Sequence, residues 1–434
     1  MHLSRSAGVA VAAMAAMVVS ALPLRVSGQP VRGAANVSVR VRGSASSDRS
    51  SSPQPVRVAA AAPHRERLEA ARRLLNSSPL VDGHSKVAWR LHNTVPSTAK
   101  RLNGTTDFGA QLRSGMVAAQ FWSVAVPCEA QYLNTVQLVL EQVDLLKRAI
   151  TTFSHHHATL VHSVAEIQEA FRRGRVGGVL GVAGGHGLGS SMGVVRALYD
   201  LGVRCLTLTH GCHTPWAECV EGGLPSPNTQ GLTPYGKELV LEMNRVGLLL
   251  DLSHASASTL HDVLATSRAP VIVSHAAARA LCPARTNLHD QTLSTLAEKG
   301  GVVLVTFDPA SLTCGRPASV RDVVAHINHV RTMAGVDHVG LGAGYNVFNS
   351  TPRGLEDASR YPEVFAELLK DASWSLQDLK KLAGLNLLRV MRQVEEVKEE
   401  LAVEPPSEEI IPIHDIDTRW PCRYKFSRLD LPHT

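Results

Sequence analysis

Eight short apolar runs recur along the middle of this chain, and a stretch of helical pattern separates most of them. They are Leu80–Val81, Val117–Phe121, Val176–Val182, Cys205–Leu208, Leu248–Leu252, Val271–Val273, Val302–Val305 and Val339–Leu341. Short apolar runs of this kind read as strands, and segments such as Thr135–Ile150 and Gly189–Leu201 read as amphipathic helices. Strand alternating with helix implies a parallel sheet. Eight such units predict an α/β fold of the (β/α)8 TIM-like barrel type, built as a single domain. An open doubly wound sheet is the competing arrangement, but no glycine-rich phosphate loop follows the first run.

The flanks differ in composition from this body. Met1 to Gly28 reads as a signal peptide: Arg5 gives the positive start, Ala7–Val19 the apolar stretch, and Val19-Ser20-Ala21 or Val26-Ser27-Gly28 the cleavage site. An alanine-rich disordered tail is the alternative. Residues 29–69 have the Ser/Arg/Ala/Pro composition of a linker, with a helical pattern opening near His64. The folded body spans 70–402. It closes with a helical period over Ser375–Glu400, and 403–434 forms a C-terminal tail rich in Pro and acidic residues at its start.

At 44% hydrophobic and 19% charged, the chain can bury one large core. Much of its +6 formal charge lies in the first 75 or so residues, and no basic run is interleaved with aromatics. No nucleic-acid partner is expected. Four N-x-S/T sequons, at Asn36, Asn76, Asn103 and Asn349, suit an exported glycoprotein. No other apolar stretch is long enough for a membrane span. The polar C-terminal segment lacks a lipid-anchor signal, so an extracellular, soluble form is expected.

Three histidines follow apolar runs: His84 in Pro79-Leu-Val-Asp-Gly-His84, His254 in Gly247-Leu-Leu-Leu-Asp-Leu-Ser-His254, and His275 in Pro270-Val-Ile-Val-Ser-His275. Strand ends of such a barrel face one cleft, so imidazoles distant in sequence converge there, a common way to build a metal site. A hydrogen-bonded core histidine is the bland reading of any one of them. His186 and His213 are read as supporting or surface imidazoles, and Asp82 and Asp251 as orienting groups rather than ligands. Glu356 and Asp357 read as a solvated or capping pair.

These motifs, with Leu206-Thr-Leu-Thr-His210, Thr214-Pro-Trp-Ala-Glu218, Gly354-Leu-Glu-Asp357 and Asn386-Leu-Leu-Arg-Val390, make the chain resemble the membrane dipeptidase (renal dipeptidase) family from about residue 68 to 400. The resemblance implies a zinc barrel, a disulfide-linked homodimer, and hydrolysis of dipeptides and related amides. It makes His84 a ligand of one zinc, His254 and His275 ligands of a second, and His210 a catalytic residue at the scissile carbonyl. It also pairs Cys128 with Cys212 and Cys282 with Cys314, and leaves Cys422 for an inter-chain bridge. Seven cysteines in an exported chain fit a disulfide framework with one left over. Cys205 and Cys219 have no assigned partner, and Cys205 is expected to be a buried thiol.

The chain departs from the family where the carboxylates should be. The aspartate of His-x-Asp is Lys86, the bridging glutamate is Ala183, and the aspartate of the last strand is Gly344. The substrate-gripping arginine falls on Thr286, with Arg285 one residue early as a weak substitute. Carboxylates supply the charge that holds two dications together, and neutral imidazoles do not replace it. A Lys86 ammonium about 4 Å from a dication would add several kcal/mol of repulsion at an effective dielectric of about 20. A carboxylated Lys86 would reverse that sign, but its place on the first strand argues against it.

Two readings therefore stand. One is a working zinc dipeptidase with an altered site. The other, favoured by residue chemistry, is a secreted pseudoenzyme that keeps the barrel, binds at most one zinc per chain, and offers its cleft to a dipeptide or peptide-like ligand.

Overall fold

Parallel pairing joins the predicted runs into a ring. The computed structural model describes residues 61–92, 110–153, 157–222, 230–348, 350–412 and 415–416. Its strands are β1 (Leu80–Ser85), β2 (Val117–Ala125), β3 (Ala158–Leu160), β4 (Val176–Ala183), β5 (Val203–Thr207), β6 (Leu249–Asp251), β7 (Ile272–Ala276), β8 (Val302–Val305) and β9 (Val339–Leu341). The register from Ala119↔Gly177 to Ala125↔Ala183 joins β2 directly to β4, and Asp82↔Leu341 joins β1 to β9. These pairings close an eight-stranded parallel barrel with helices between its strands, the predicted (β/α)8 fold. The ninth strand, β3, was not anticipated. It pairs only with the start of β4, ahead of β5, and its three residues are too few to carry a period.

Alternate residues of β1, β2, β4, β6, β7 and β8 enter two different apolar clusters. Val81, Phe121, Val179, Leu249, Ile272 and Leu304 belong to the interior one. Leu80, Trp122, Leu180, Leu250, Val273 and Val303 face the helical jacket. The interior cluster also takes side chains from α1 (Val164–Arg172) and α2 (Asn386–Glu400), including Ile167, Leu387, Leu388 and Met391. Apolar packing therefore fills the barrel and leaves its polar residues at the carboxyl ends of the strands.

The helical period read over Ser375–Glu400 is not one α-helix. A short helix, Leu376–Lys380, passes through a π-turn at Lys381–Leu385 before α2 begins. Gly384 explains the site of the turn. A Cβ there would sit 2.5 Å from the Pro79 carbonyl oxygen, so the wide turn brings bare backbone against the start of β1.

Both intra-chain disulfides are formed, Cys128–Cys212 and Cys282–Cys314. Cys205 and Cys219 are free, buried thiols. Among the described residues, no helix is long and apolar enough to cross a membrane. Past Val403 the chain still packs: Ser407 carbonyl accepts from Arg196, its N–H donates to Glu242, and Ile411 is buried. The signal peptide, most of the linker, Asn36, Asn103, Asn349 and Cys422 lie outside the described residues.

Candidate metal centre

Of the predicted residues, Lys86, His210, His254, His275, Thr286 and Gly344 line one cleft of about 270 Å³ at the carboxyl ends of the strands, together with Glu221 and Asp308, whereas His84, Ala183 and Arg285 do not line it. His84 lies within β1 and His275 within β7. His210 and His254 each lie three residues beyond a strand, β5 and β6. His254 holds a left-handed backbone, φ 62°, uncommon for a residue with a side chain and typical of places where a site imposes the conformation.

Two buried carboxylates brace the strand ends beneath this cleft. Asp251 accepts from Thr207 Oγ1 at 2.6 Å, from Ser253 N and Oγ at 3.0 and 2.7 Å, and from Ser274 N and Oγ at 2.8 and 2.6 Å. Asp82 accepts from Gln120 Nε2, Tyr361 Oη and Ala343 N at 2.7, 2.6 and 2.8 Å. Burial nonetheless pushes its pKa up to about 6, against those hydrogen bonds. Asp251 reaches the His275 ring through Ser274 Oγ, whereas Asp82 meets His84 only at its backbone N, at 3.4 Å. Asp251→Ala would strand five buried donated hydrogen bonds at β5, β6 and β7. Its expected cost is about 3 kcal/mol or more, read as a lower urea midpoint with the slope unchanged. A shift under about 1 kcal/mol would deny Asp251 this bracing role.

The imidazoles are set by their second nitrogens. His254 Nδ1–H donates to Glu221 Oε2 at 2.7 Å, because a carboxylate can only accept. His275 Nδ1 lies 2.8 Å from Ser274 Oγ, whose own proton goes to Asp251. His275 therefore donates to Ser274. Both rings then turn a bare Nε2 lone pair to the other, 2.9 Å apart. Two facing lone pairs repel, and a proton or a cation between them removes the repulsion. Burial, reinforced by nearby charge, holds His84, His210 and His275 well below the usual imidazole range, which favours the neutral, ligating form.

His84 is packed differently. Its ring lies flat on His275, centroids 3.8 Å apart and planes 15° from parallel, and its Nε2 is buried without a hydrogen-bond partner. The nitrogens that lie within 4.8 Å of one another belong instead to His210, His254 and His275. His186 and His213 stand back from this group. His186 Nε2–H donates to Val126 O at 3.0 Å, and His213 Nδ1 accepts from Cys219 N at 3.0 Å. Cys128 and Cys212 also lie near His186, but they are bonded to each other and offer no thiolate.

The substituted positions carry no carboxylate into the cleft. Ala183 ends β4, buried between Ala125 and Thr207. Gly344 has φ 75° and donates its N–H to the His84 carbonyl at 3.0 Å. Lys86 lines the cleft, and burial lowers its pKa to about 8 against the attraction of Glu221. Thr286 lines the cleft too, while Arg285 is exposed and acts through its charge on Glu221. Glu356 accepts from Gly354 N, and Asp357 caps a short turn through Ser359 N, as expected of a capping pair.

Sequence reasoning missed Glu221. It sits in Cys219-Val220-Glu221-Gly222, on the long connection after β5, which has no period to read. Backbone pairing aims it: Val220 N donates to His254 O at 2.8 Å, and Cys219 bridges Ala255. Asp308 was missed for the same reason, and it is occupied capping the turn at Pro309–Leu312 through Ala310 N and Ser311 Oγ.

A closed (β/α)8 barrel with imidazoles gathered at its strand ends has the layout of a metal site that could serve hydrolysis. Residues 68–404 match the pattern of membrane dipeptidase (peptidase family M19), and the chain belongs to that family. It is 40% identical over 356 residues to Dipeptidase 3 of Homo sapiens, covering 80% of this chain and 72% of that protein. It is 39% identical over 352 residues to Dipeptidase 3 of Rattus norvegicus, covering 79% and 71%. Among solved structures, a metallo peptidase from Rhodobacter sphaeroides, liganded with a phosphinate mimic of the dipeptide L-Ala-D-Ala, shares the fold. Its TM-score is 0.66 at 24% identity, over 73% of this chain and 99% of that one. An amidohydrolase from Pseudomonas aeruginosa does so at a TM-score of 0.63 and 22% identity, over 75% and 98%.

Proposed function

We propose that this protein is a secreted, catalytically impaired member of the membrane dipeptidase family that binds at most one zinc per chain, mainly through His254 and His275. One observation carries the reading: among the described residues, each carboxylate that lines the cleft or lies beneath it already accepts a hydrogen bond from the protein. Glu221 is bonded to His254, Asp308 caps a turn, and Asp82 and Asp251 are locked beneath the strands. None of these stands unpartnered between the imidazoles to bridge two cations, and Lys86 adds positive charge to the cleft. One cation needs no bridge. The two opposed Nε2 atoms, each with its other nitrogen anchored, fit it well.

Zinc, when bound, would supply a Lewis acid and charge stabilisation at the cleft. The chain's own residues would hold it and orient whatever enters: Glu221 and Ser274 fix the tautomers, and Lys86 and Thr286 face the ligand. A dipeptide-sized or peptide-like ligand is the expected occupant of the cleft. The homodimer linked through Cys422, and export to the cell exterior, belong to the same reading. Export is supported by the two formed disulfides and the exposed sequon residue Asn76, and the inter-chain bridge rests on the family resemblance.

Elemental analysis of purified full-length protein tests it. One zinc or fewer per chain is expected, and two per chain would overturn the reading and point to carboxylated Lys86 as a bridge. On a non-reducing gel the protein should run as a covalent dimer that Cys422→Ser converts to monomer. A monomer before mutation would remove the inter-chain bridge.

A further inference from the structure

We infer that His210 is the third ligand of a mononuclear metal centre, completed by His254 and His275, whose fourth position opens beside Lys86 and takes a small anion. The family resemblance gives His210 to the substrate's carbonyl and His84 to a metal; here it is His210 whose nitrogen lies within 4.8 Å of those of His254 and His275, while His84 stacks on His275. The inference rests on the proposal that one zinc binds at His254 and His275, and adds the remaining coordination positions.

The ring geometry carries it. Three imidazoles around one tetrahedral ion, with metal–nitrogen bonds of about 2.0 to 2.1 Å, have centroids about 5 Å apart and ligating nitrogens about 3.3 Å apart. The centroids here are 4.4 Å for His210–His254, 5.0 Å for His254–His275 and 6.0 Å for His210–His275. The 2.9 Å between Nε2 of His254 and of His275 needs to open by only a few tenths of an ångström. All three rings are tilted to one another, by 46°, 55° and 35°, as converging ligands are. His84, stacked flat on His275, lies outside this set.

The framework that holds His210 is independent of any metal. It lies two residues before Cys212, which is tied to Cys128 by a disulfide. On its other side, Gly184 approaches so closely that a Cβ there would lie 3.3 Å from His210 Cβ. The same connection carries Glu221 to His254, so one loop delivers both a ligand and the carboxylate that orients a second ligand. Three neutral histidines carry no charge to offset a dication, which leaves the fourth position attractive to an anion. Lys86, Thr286 and Ser311 line the cleft that such an anion would enter.

The test is cobalt(II) titration of the full-length protein after chelator treatment, with the visible spectrum recorded and zinc affinity measured by competition with a chromophoric chelator. One cobalt per chain with intense tetrahedral bands is expected. His210→Gln should lower zinc affinity on the order of 100-fold and abolish those bands. Glu221→Gln, a positioning change, should lower it about 10- to 100-fold with the bands kept. His210→Cys should restore tight binding and add a sulfur-to-cobalt charge-transfer band, which a merely structural role for His210 would not produce. Azide should shift the cobalt spectrum, and Lys86→Met should weaken that shift.

Near-UV circular dichroism confirms that each variant is folded. If His210→Gln binds like the unmutated protein while His84→Gln loses the metal, the third ligand is His84. The inference then fails and the one-zinc proposal survives. A cobalt spectrum indifferent to azide overturns the open fourth position. Two cobalt ions per chain would instead defeat the proposal of at most one zinc, and no cobalt at all would overturn the inferred centre while leaving that proposal standing.

Discussion

Dipeptides offered to the purified protein with zinc in excess should be hydrolysed on the order of 10³-fold more slowly than by a two-zinc relative, or not measurably. Two losses combine to produce this. Attack on an amide carbonyl by activated water needs charge stabilisation, and loss of one preorganised stabilising group commonly costs about 10²- to 10³-fold in kcat. With one zinc per chain, as proposed, the second cation is lost together with the carboxylates that Lys86, Ala183 and Gly344 replace. In addition, Thr286 stands where the resemblance places an arginine, and a threonine hydroxyl cannot make the bidentate contact that guanidinium makes with a carboxylate. These two effects act on different parts of a substrate, so kcat and KM should both suffer. Zinc-dependent turnover at rates typical of relatives, abolished by His254→Ala, would show the catalytic impairment to be wrong.

Rebuilding the missing carboxylates should change metal content before it changes rate. Lys86→Asp with Ala183→Glu replaces a cleft cation with an anion and supplies a bridge at the end of β4. Zinc stoichiometry is expected to rise from one toward two per chain. The third substitution behaves differently. Gly344 has φ 75°, and a Cβ added there would lie 3.2 Å from Phe348 Cε1, so Gly344→Asp forces a side chain into a left-handed backbone and a tight contact. That strain is worth about 1 to 3 kcal/mol. The triple variant should therefore melt lower than the double one, with activity returning only if the backbone near Gly344 relaxes. Elemental analysis and calorimetry on the two variants check this. A double variant that still holds a single zinc would mean that charge is not what limits the second site.

The barrel was legible because parallel strands covered on both faces must be nearly continuous apolar runs, and such runs are a local property of sequence. Val302–Val305 and Val339–Leu341 coincide with β8 and β9 for that reason. β3 escaped because three residues show no period, and the break in the closing helix escaped because Gly384 meets Pro79 only in three dimensions. The histidines could be found, since each follows a strand-like run, and so could the missing carboxylates, since Lys86, Ala183 and Gly344 occupy positions within recognisable motifs.

Which imidazoles share a point in space could not be read that way. His210, His254 and His275 come from three different strand ends, and the order of residues along the chain says nothing about the angle between their rings. Glu221 reaches His254 across 33 residues of sequence. It does so because the connection after β5 is fastened at one end by Cys128–Cys212, across 84 residues, and at the other by backbone pairing to Ala255. The sequence by itself determined the eight barrel strands, the family and the residue types at Lys86, Ala183 and Gly344, because those depend on residue type and local period. Only the tertiary structure decided that His210 joins the cluster while His84 stacks beside it. Imidazole direction follows from side-chain packing and from which acceptor holds the second nitrogen, and both are set by contacts between distant segments.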